Sequence, residues 1–275
     1  MAELLVDGLA FGESPRWHGG RLWFSNWGTG EVLAVDADGK SQVMAQVPPE
    51  TLPFSIEWLP DGRLLIVAGS RLLRQEAAGA LVEHADLSGV GDLFNEIVVD
   101  RRGYTFVNGG SFDFTKPGVI AVVTPVGEVR QVADGIAFGN GMAVTEDGST
   151  LIVAESYGCR LSAFDIGPDG GLSNRRMWAD LGEGQHPDGI CVDAEGAVWY
   201  ADVPNQHCVR VREGGEILQT VDLDRGAFAC MLGGEDGSTL YILAAEWAGM
   251  ENMFSPARTG QLLTTPAPAP HAGKP

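Results

Sequence analysis

Asp188-Gly189-Ile190-Cys191-Val192-Asp193-Ala194-Glu195-Gly196 decides the fold, because its layout recurs along the chain. A polar residue opens the stretch, an apolar run follows, and a turn ends on a glycine eight positions after the start. Asn95 to Gly103 and Asn140 to Gly148 repeat it, and Phe54 to Gly62 keeps the layout with an aromatic start. The same offset back from Gly237 reaches Ala229, and Glu13 opens a version whose turn is one residue shorter. The six starts, 13, 54, 95, 140, 188 and 229, are 41, 41, 45, 48 and 41 residues apart. A four-stranded propeller blade needs about 40–50 residues.

Short runs rich in β-formers follow the turns: Arg21–Phe24, Arg63–Val67, Leu151–Ala154, Ala197–Tyr200 and Leu240–Leu243. Branched and aromatic side chains suit a pleated surface. The Asp-Gly, Glu-Gly and Gly-Gly pairs ahead of these runs are hairpin turns. A sandwich or a barrel does not predict a repeat of this size. The sequence therefore predicts an all-β protein, a six-bladed β-propeller over residues 1–263 with a central axial metal site. A Pro/Ala-rich tail over 264–275 is expected to be mobile. Glu3–Val6 precede the first full blade and are expected to pair with the last, leaving no open edge.

Composition narrows the partners. Of 275 residues, 18 are basic and 37 acidic, a net charge of −19 that repels phosphate backbones and anionic lipid. Nucleic acid and membrane surfaces are thereby disfavoured, and no apolar run reaches the roughly 18 residues of a membrane span. Residues 1–7 carry neither a basic stretch nor a long apolar one. Cys159, Cys191, Cys208 and Cys230 form no C-x-x-C pair, which reads as free thiols and a cytoplasmic location. The sequence leaves the oligomeric state open.

Equivalent positions in successive blades lie at equivalent radius and height, so the six starts should face one another across the axis. Four of them, Glu13, Asn95, Asn140 and Asp188, carry side-chain oxygens. Asn-Gly and Asp-Gly are ordinary turn dipeptides, so any one of these alone reads as a turn residue. Four at one repeat position, converging in a partly desolvated channel, would be costly unless compensated. One divalent cation would compensate them: two carboxylates balance its charge and two amide oxygens extend the shell. Oxygen donors favour Ca2+, with Mg2+ and Mn2+ next and Zn2+ or Fe2+ behind. His186, two positions before Asp188, is expected near the mouth of such a site. A second set at the ends of the following strands, Asn26, Ala68, Asn108, Glu155 and Asp202, is divided between support for the first and ordinary strand-end polarity.

At these residues the chain resembles the SMP-30/gluconolactonase/regucalcin-like (LRE-like) family along nearly its whole length. The resemblance rests on Gly12–Pro15, Asn95 ahead of Glu96, Asn140-Gly141, Pro187–Ile190 and Cys230–Gly234, in this order. It implies a six-bladed propeller with a divalent metal at the axis and members that open sugar-acid lactones. Carried over, Glu13, Asn140 and Asp188 are metal ligands, and Asn95 completes the site or touches substrate. Asp188 is also the implied catalytic base, with Glu155 in reserve. The family's substrate-binding arginine falls at Leu93, and its substrate-contacting glutamate falls near Asp113. Leu93 cannot donate hydrogen bonds, so a less hydroxylated lactone fits better than gluconolactone. The expected function is metal-dependent hydrolysis of a small lactone. The alternatives are organophosphate triester hydrolysis on the same metal, as in related propellers, or a non-catalytic metal-binding propeller.

Overall fold

The fold is taken from a computed structural model that describes residues 2–48, 51–111, 113, 115–249 and 258–273. Among them are six four-stranded antiparallel sheets arranged as a propeller. The first blade is β2 (Gly12–His18), β3 (Arg21–Asn26), β4 (Glu31–Val35) and β5 (Ser41–Gln46). The second is β6 (Phe54–Trp58), β7 (Leu64–Ala68), β8 (Arg71–Gln75) and β9 (Leu81–Asp86). The third is β10 (Leu93–Val99), β11 (Thr105–Gly110), β12 (Gly118–Val123) and β13 (Val129–Ile136). The fourth is β14 (Gly139–Val144), β15 (Thr150–Glu155), β16 (Arg160–Ile166) and β17 (Leu172–Asp180), and the fifth is β18 (Pro187–Val192), β19 (Val198–Asp202), β20 (His207–Val211) and β21 (Ile217–Asp222).

The sixth blade closes the ring. Its order is β22 (Gly226–Gly233), β23 (Thr239–Ala245), β24 (Gly260–Pro266) and then β1 (Glu3–Leu9), the N-terminal strand. Glu3 pairs with Thr264 and Leu4 with Leu263, as the sequence suggested. Joining the two ends of the chain in one sheet satisfies backbone groups that an open edge would expose. The boundary drawn at 263/264 falls inside β24, where Thr264, Thr265 and Pro266 sit opposite Tyr241, Leu240 and Thr239. Beyond it Ala269 and Ala272 are buried, and His271 bridges to Asp193. Small alanines between the prolines fit against the sheet.

The inner strands β2, β6, β10, β14, β18 and β22 pack side by side around the axis. Two glycines directly after candidate ligands allow neighbouring inner strands to approach closely. A Cβ on Gly141 would lie 2.5 Å from the Ile190 nitrogen and 2.6 Å from the Asp188 oxygen. One on Gly189 would lie 2.5 Å from Ala229 Cβ and 2.7 Å from its Cα. Asn-Gly and Asp-Gly therefore stand within strands here, where their glycines set the spacing between blades. Outside this ring, apolar clusters straddle neighbouring blades: Ile97, Val107 and Ala121 join Leu65, Val67 and Leu72, for example. Packing between sheets fixes the radius at which the axial side chains meet.

Candidate metal centre and cavity

Glu13, Asn95, Asn140 and Asp188 all line one cavity of about 240 Å3 at the end of the axial channel. Phe54 and Ala229, the two apolar starts, are fully buried. Asn95 Nδ2 donates to Asn140 Oδ1 at 3.2 Å, while Asn140 Nδ2 faces Ser156 Oγ at 3.5 Å. Ser156 Oγ donates to the Pro187 carbonyl at 2.7 Å, leaving its lone pairs for the Asn140 amide. The Asn140 oxygen is therefore turned toward Asn95 and the axis.

The strand-end set explains how these side chains are held. Asn26 Oδ1 accepts the Ala10 and Phe11 N–H groups at 3.1 and 3.0 Å, just ahead of Glu13. Glu155 Oε2 accepts the Ala137 N–H at 2.8 Å, three residues before Asn140. Asp202 Oδ2 accepts the His186 N–H at 2.7 Å, two residues before Asp188. Asn108 donates to the Asn140 carbonyl. Each anchors the backbone at or just ahead of a candidate ligand, and buried N–H groups need such acceptors. Ala68, in the blade that contributes Phe54, has no side-chain acceptor to offer.

Electrostatics sets the problem that the centre must solve. Burial, then the charges of Asp188 and Glu96, push the Glu13 carboxyl well above its usual range. Burial, then the charges of Glu96 and Asp202, do the same to Asp188. Glu96 is raised by burial even though Arg16 lies 2.9 Å away. Arg16 also pairs with Glu57 at 3.1 Å. In this stretch of channel the acidic side chains of Glu13, Glu57, Glu96, Asp188 and Asp202 thus outnumber the one guanidinium, that of Arg16. Asp188 Oδ1 is buried with no hydrogen-bond partner. An orphaned carboxylate oxygen, excess negative charge and two neighbouring amides form a donor set that fits a hard divalent cation. Among the described residues no three His, Cys, Asp or Glu side chains group as a metal site, so a cation here would depend on the amides.

His186 also lines the cavity. Its Nδ1 lies 3.0 Å from the Ser156 carbonyl. A carbonyl only accepts, so Nδ1 carries a hydrogen, and Nε2 is the ring nitrogen that remains. The remaining wall is largely aromatic: Phe11, Trp27, Phe138, Tyr157, Phe228 and Trp247.

Three sequence-predicted site residues lie elsewhere. The Glu155 side chain is fully buried and pairs with Arg160 at 3.0 Å and Arg175 at 2.9 Å. Burial raises its pKa, but donors from Arg160, Ser162, the Ala137 N–H and Arg175 outweigh this and hold it at about 2. A carboxylate so satisfied, and off the cavity wall, is an anchor rather than a proton acceptor. Asp113 is exposed, held by Thr115 Oγ1 at 2.6 Å and Lys116 at 3.4 Å, and it does not line the cavity. Leu93 is buried, also off the cavity wall, and pairs with Gly110.

Glu155→Gln should cost about 2 kcal/mol of stability at pH 7, because both arginine partners are one-third exposed and screened. The Glu155 pKa in the folded protein lies below its ordinary value of 4.5, so this stabilisation is present above about pH 4.5. It is lost as pH falls toward about 2. Urea unfolding across that window should show the wild-type loss and its reduction in the variant.

A profile of the SMP-30/gluconolactonase/LRE-like region matches residues 11–246. The chain belongs to this family. Rabbit (Oryctolagus cuniculus) regucalcin is 29% identical over 266 residues, covering 88% of this chain and 85% of that protein. The crystal structure of a calcium-binding protein, regucalcin, from Agrobacterium tumefaciens superposes with a TM-score of 0.83 at 21% identity, over 99% of this chain and 95% of that one. A gluconolactonase from Xanthomonas campestris superposes with a TM-score of 0.75 at 22% identity, over 96% and 89% of the two chains. At these identities the solved structures establish the shared propeller. Within this SMP-30/gluconolactonase/LRE-like chain, the family profile spans all four oxygen-bearing residues of the cavity floor.

Proposed function

We propose that the protein is a metal-dependent hydrolase that opens a small lactone. The observation that carries this reading is the convergence of Glu13, Asn95, Asn140 and Asp188 in one cavity whose remaining wall is largely aromatic. Membership of a family whose relatives include a protein named gluconolactonase supports it. Glu13, Asn95, Asn140 and Asp188 would hold the cation, with Ca2+ the first choice for an all-oxygen set. A cation held there supplies Lewis acidity at the lactone carbonyl oxygen.

The chain's own groups do the rest. Asp188 accepts a proton from water. The water oxygen bonds to the carbonyl carbon, the ring C–O bond breaks, and the proton passes to the departing ring oxygen. The product is the open hydroxy acid. His186 Nε2 offers a second group to orient water, and Asn95 is placed to reach either cation or substrate. Asp113 and Leu93 have no direct part in this scheme. A cytoplasmic location accords with four free cysteines.

The test is hydrolysis of a lactone panel with and without a chelator, with circular dichroism on the same samples. Turnover should fall to background on chelation and return with Ca2+ while the β signal persists, because blade packing carries most of the stability. Turnover that survives complete metal removal overturns the reading. Hydrolysis of a phosphotriester but of no lactone moves the function to the alternative chemistry.

A further inference from the structure

The substrate-facing walls form two aromatic blocks on opposite sides of the axis. One comes from the first and sixth blades. Phe11 stacks on Trp27 at 5.4 Å and meets Phe228 edge-on at 4.5 Å, and Phe228 meets Trp247 at 5.7 Å. The other comes from the fourth blade, opposite the first and two removed from the sixth in the ring of six, where Phe138 stacks on Tyr157 at 4.6 Å. The polar groups of the cavity lie at its floor, apart from His186 and the Tyr157 hydroxyl. No Lys or Arg lines it among the described residues. At about 240 Å3 it lies just below the roughly 300–1,000 Å3 of drug-sized ligand pockets, which suits a one- or two-ring molecule.

Resting on the lactonase reading above, we infer that the substrate is a lactone carrying or fused to an aromatic ring, clamped between these two blocks with its carbonyl at the floor. Flat apolar groups gain from offset and edge contacts with aromatic walls. Sugar hydroxyls placed there would lose water and find few donors or acceptors in return. The clamp is independent of Leu93, which lies off the wall.

Three δ-lactones separate the possibilities: dihydrocoumarin with a fused aromatic ring, unsubstituted δ-valerolactone, and polyhydroxylated glucono-1,5-lactone. Comparing each variant with wild type on one substrate cancels the intrinsic reactivity of that lactone. Tyr157 and Trp247 are 56% and 37% exposed, so Tyr157→Ala and Trp247→Ala should fold. Each should lower kcat/KM for dihydrocoumarin about five- to tenfold, the size of one aromatic contact, chiefly through KM. The loss on δ-valerolactone should be several-fold smaller, so that the ratio of the two kcat/KM values falls in each variant, and Tyr157→Phe should restore dihydrocoumarin turnover. Equal losses on both substrates, or a wild-type preference for glucono-1,5-lactone, overturn the aromatic clamp and leave the lactonase reading standing. Wild type that hydrolyses none of the three with Ca2+ present overturns both.

Discussion

Glu13→Gln and Asp188→Asn are each expected to weaken divalent-cation binding about hundredfold or more, and to cut lactone turnover at limiting metal in proportion. Each removes one of the two formal charges among the four side chains Glu13, Asn95, Asn140 and Asp188. Stripping one partner from a buried ionic arrangement costs about 3–5 kcal/mol, and each 1.36 kcal/mol is tenfold. The metal-free protein should respond in the opposite sense. There burial of the two carboxyls is uncompensated by a cation, and for Glu13 the repulsion from Asp188 and Glu96 outweighs the attraction of Arg16. Glu13→Gln should therefore unfold at higher urea than wild type when both are chelated, and at lower urea when both are given Ca2+. A general packing defect would lower stability in both states. The crossover separates a ligand from a merely structural carboxylate. For Asp188→Asn, saturating metal should restore binding but not turnover, because the proton acceptor is gone.

Gly189→Ala should be nearly as damaging without touching any charge. The added methyl would lie 2.5 Å from Ala229 Cβ and 2.7 Å from Ala229 Cα, with Phe228 oxygen at 3.2 Å. Backbone cannot swing aside as a side-chain tip can, so the fifth and sixth blades must separate at the axis. Overpacking of this kind costs about 1–3 kcal/mol, and misplacing a reacting group by about 1 Å costs on the order of a hundredfold in rate. Asp188 is the residue next to the disturbance. Gly89→Ala is the control, since a methyl there meets nothing within 4 Å. Kinetics and thermal melts of the two variants should differ sharply. Equal, small effects would mean that the glycine sets no spacing at the centre.

Why the propeller and its axial residues can be read from sequence follows from symmetry. A blade that cannot bury itself alone must repeat, and the repeat carries each position to the same radius. The starts at 13, 95, 140 and 188 could thus be superposed without coordinates, and all four line the cavity. The strand-end set was half legible for the same reason. Its alignment was right, but whether Glu155 faced the cavity or the Ala137 N–H depends on packing with Arg160 and Arg175, which lie on other strands. Two residues before each start lies a further ring, comprising Phe11, Leu93, Phe138 and His186 among others. Three of these four line the cavity, a signal the same periodicity could have supplied. Leu93 departs from it, as do Leu52 and Ala227 at the same offset, and its register does not set it apart, because β2, β14, β18 and β22 carry a shift like that of β10. Asp113 lies in the segment between β11 and β12, outside the repeat, where no periodicity constrains it. Trp247 likewise follows β23 on a connection whose course the repeat does not set.

Calorimetric titration of chelated, re-purified protein with Ca2+ tests the central claim most directly. One site per chain is expected in wild type and none detectable in the Glu13→Gln/Asp188→Asn double variant, with the β-propeller intact in both by circular dichroism. Calcium binding of unchanged stoichiometry and affinity in the double variant, or none in wild type, would contradict it.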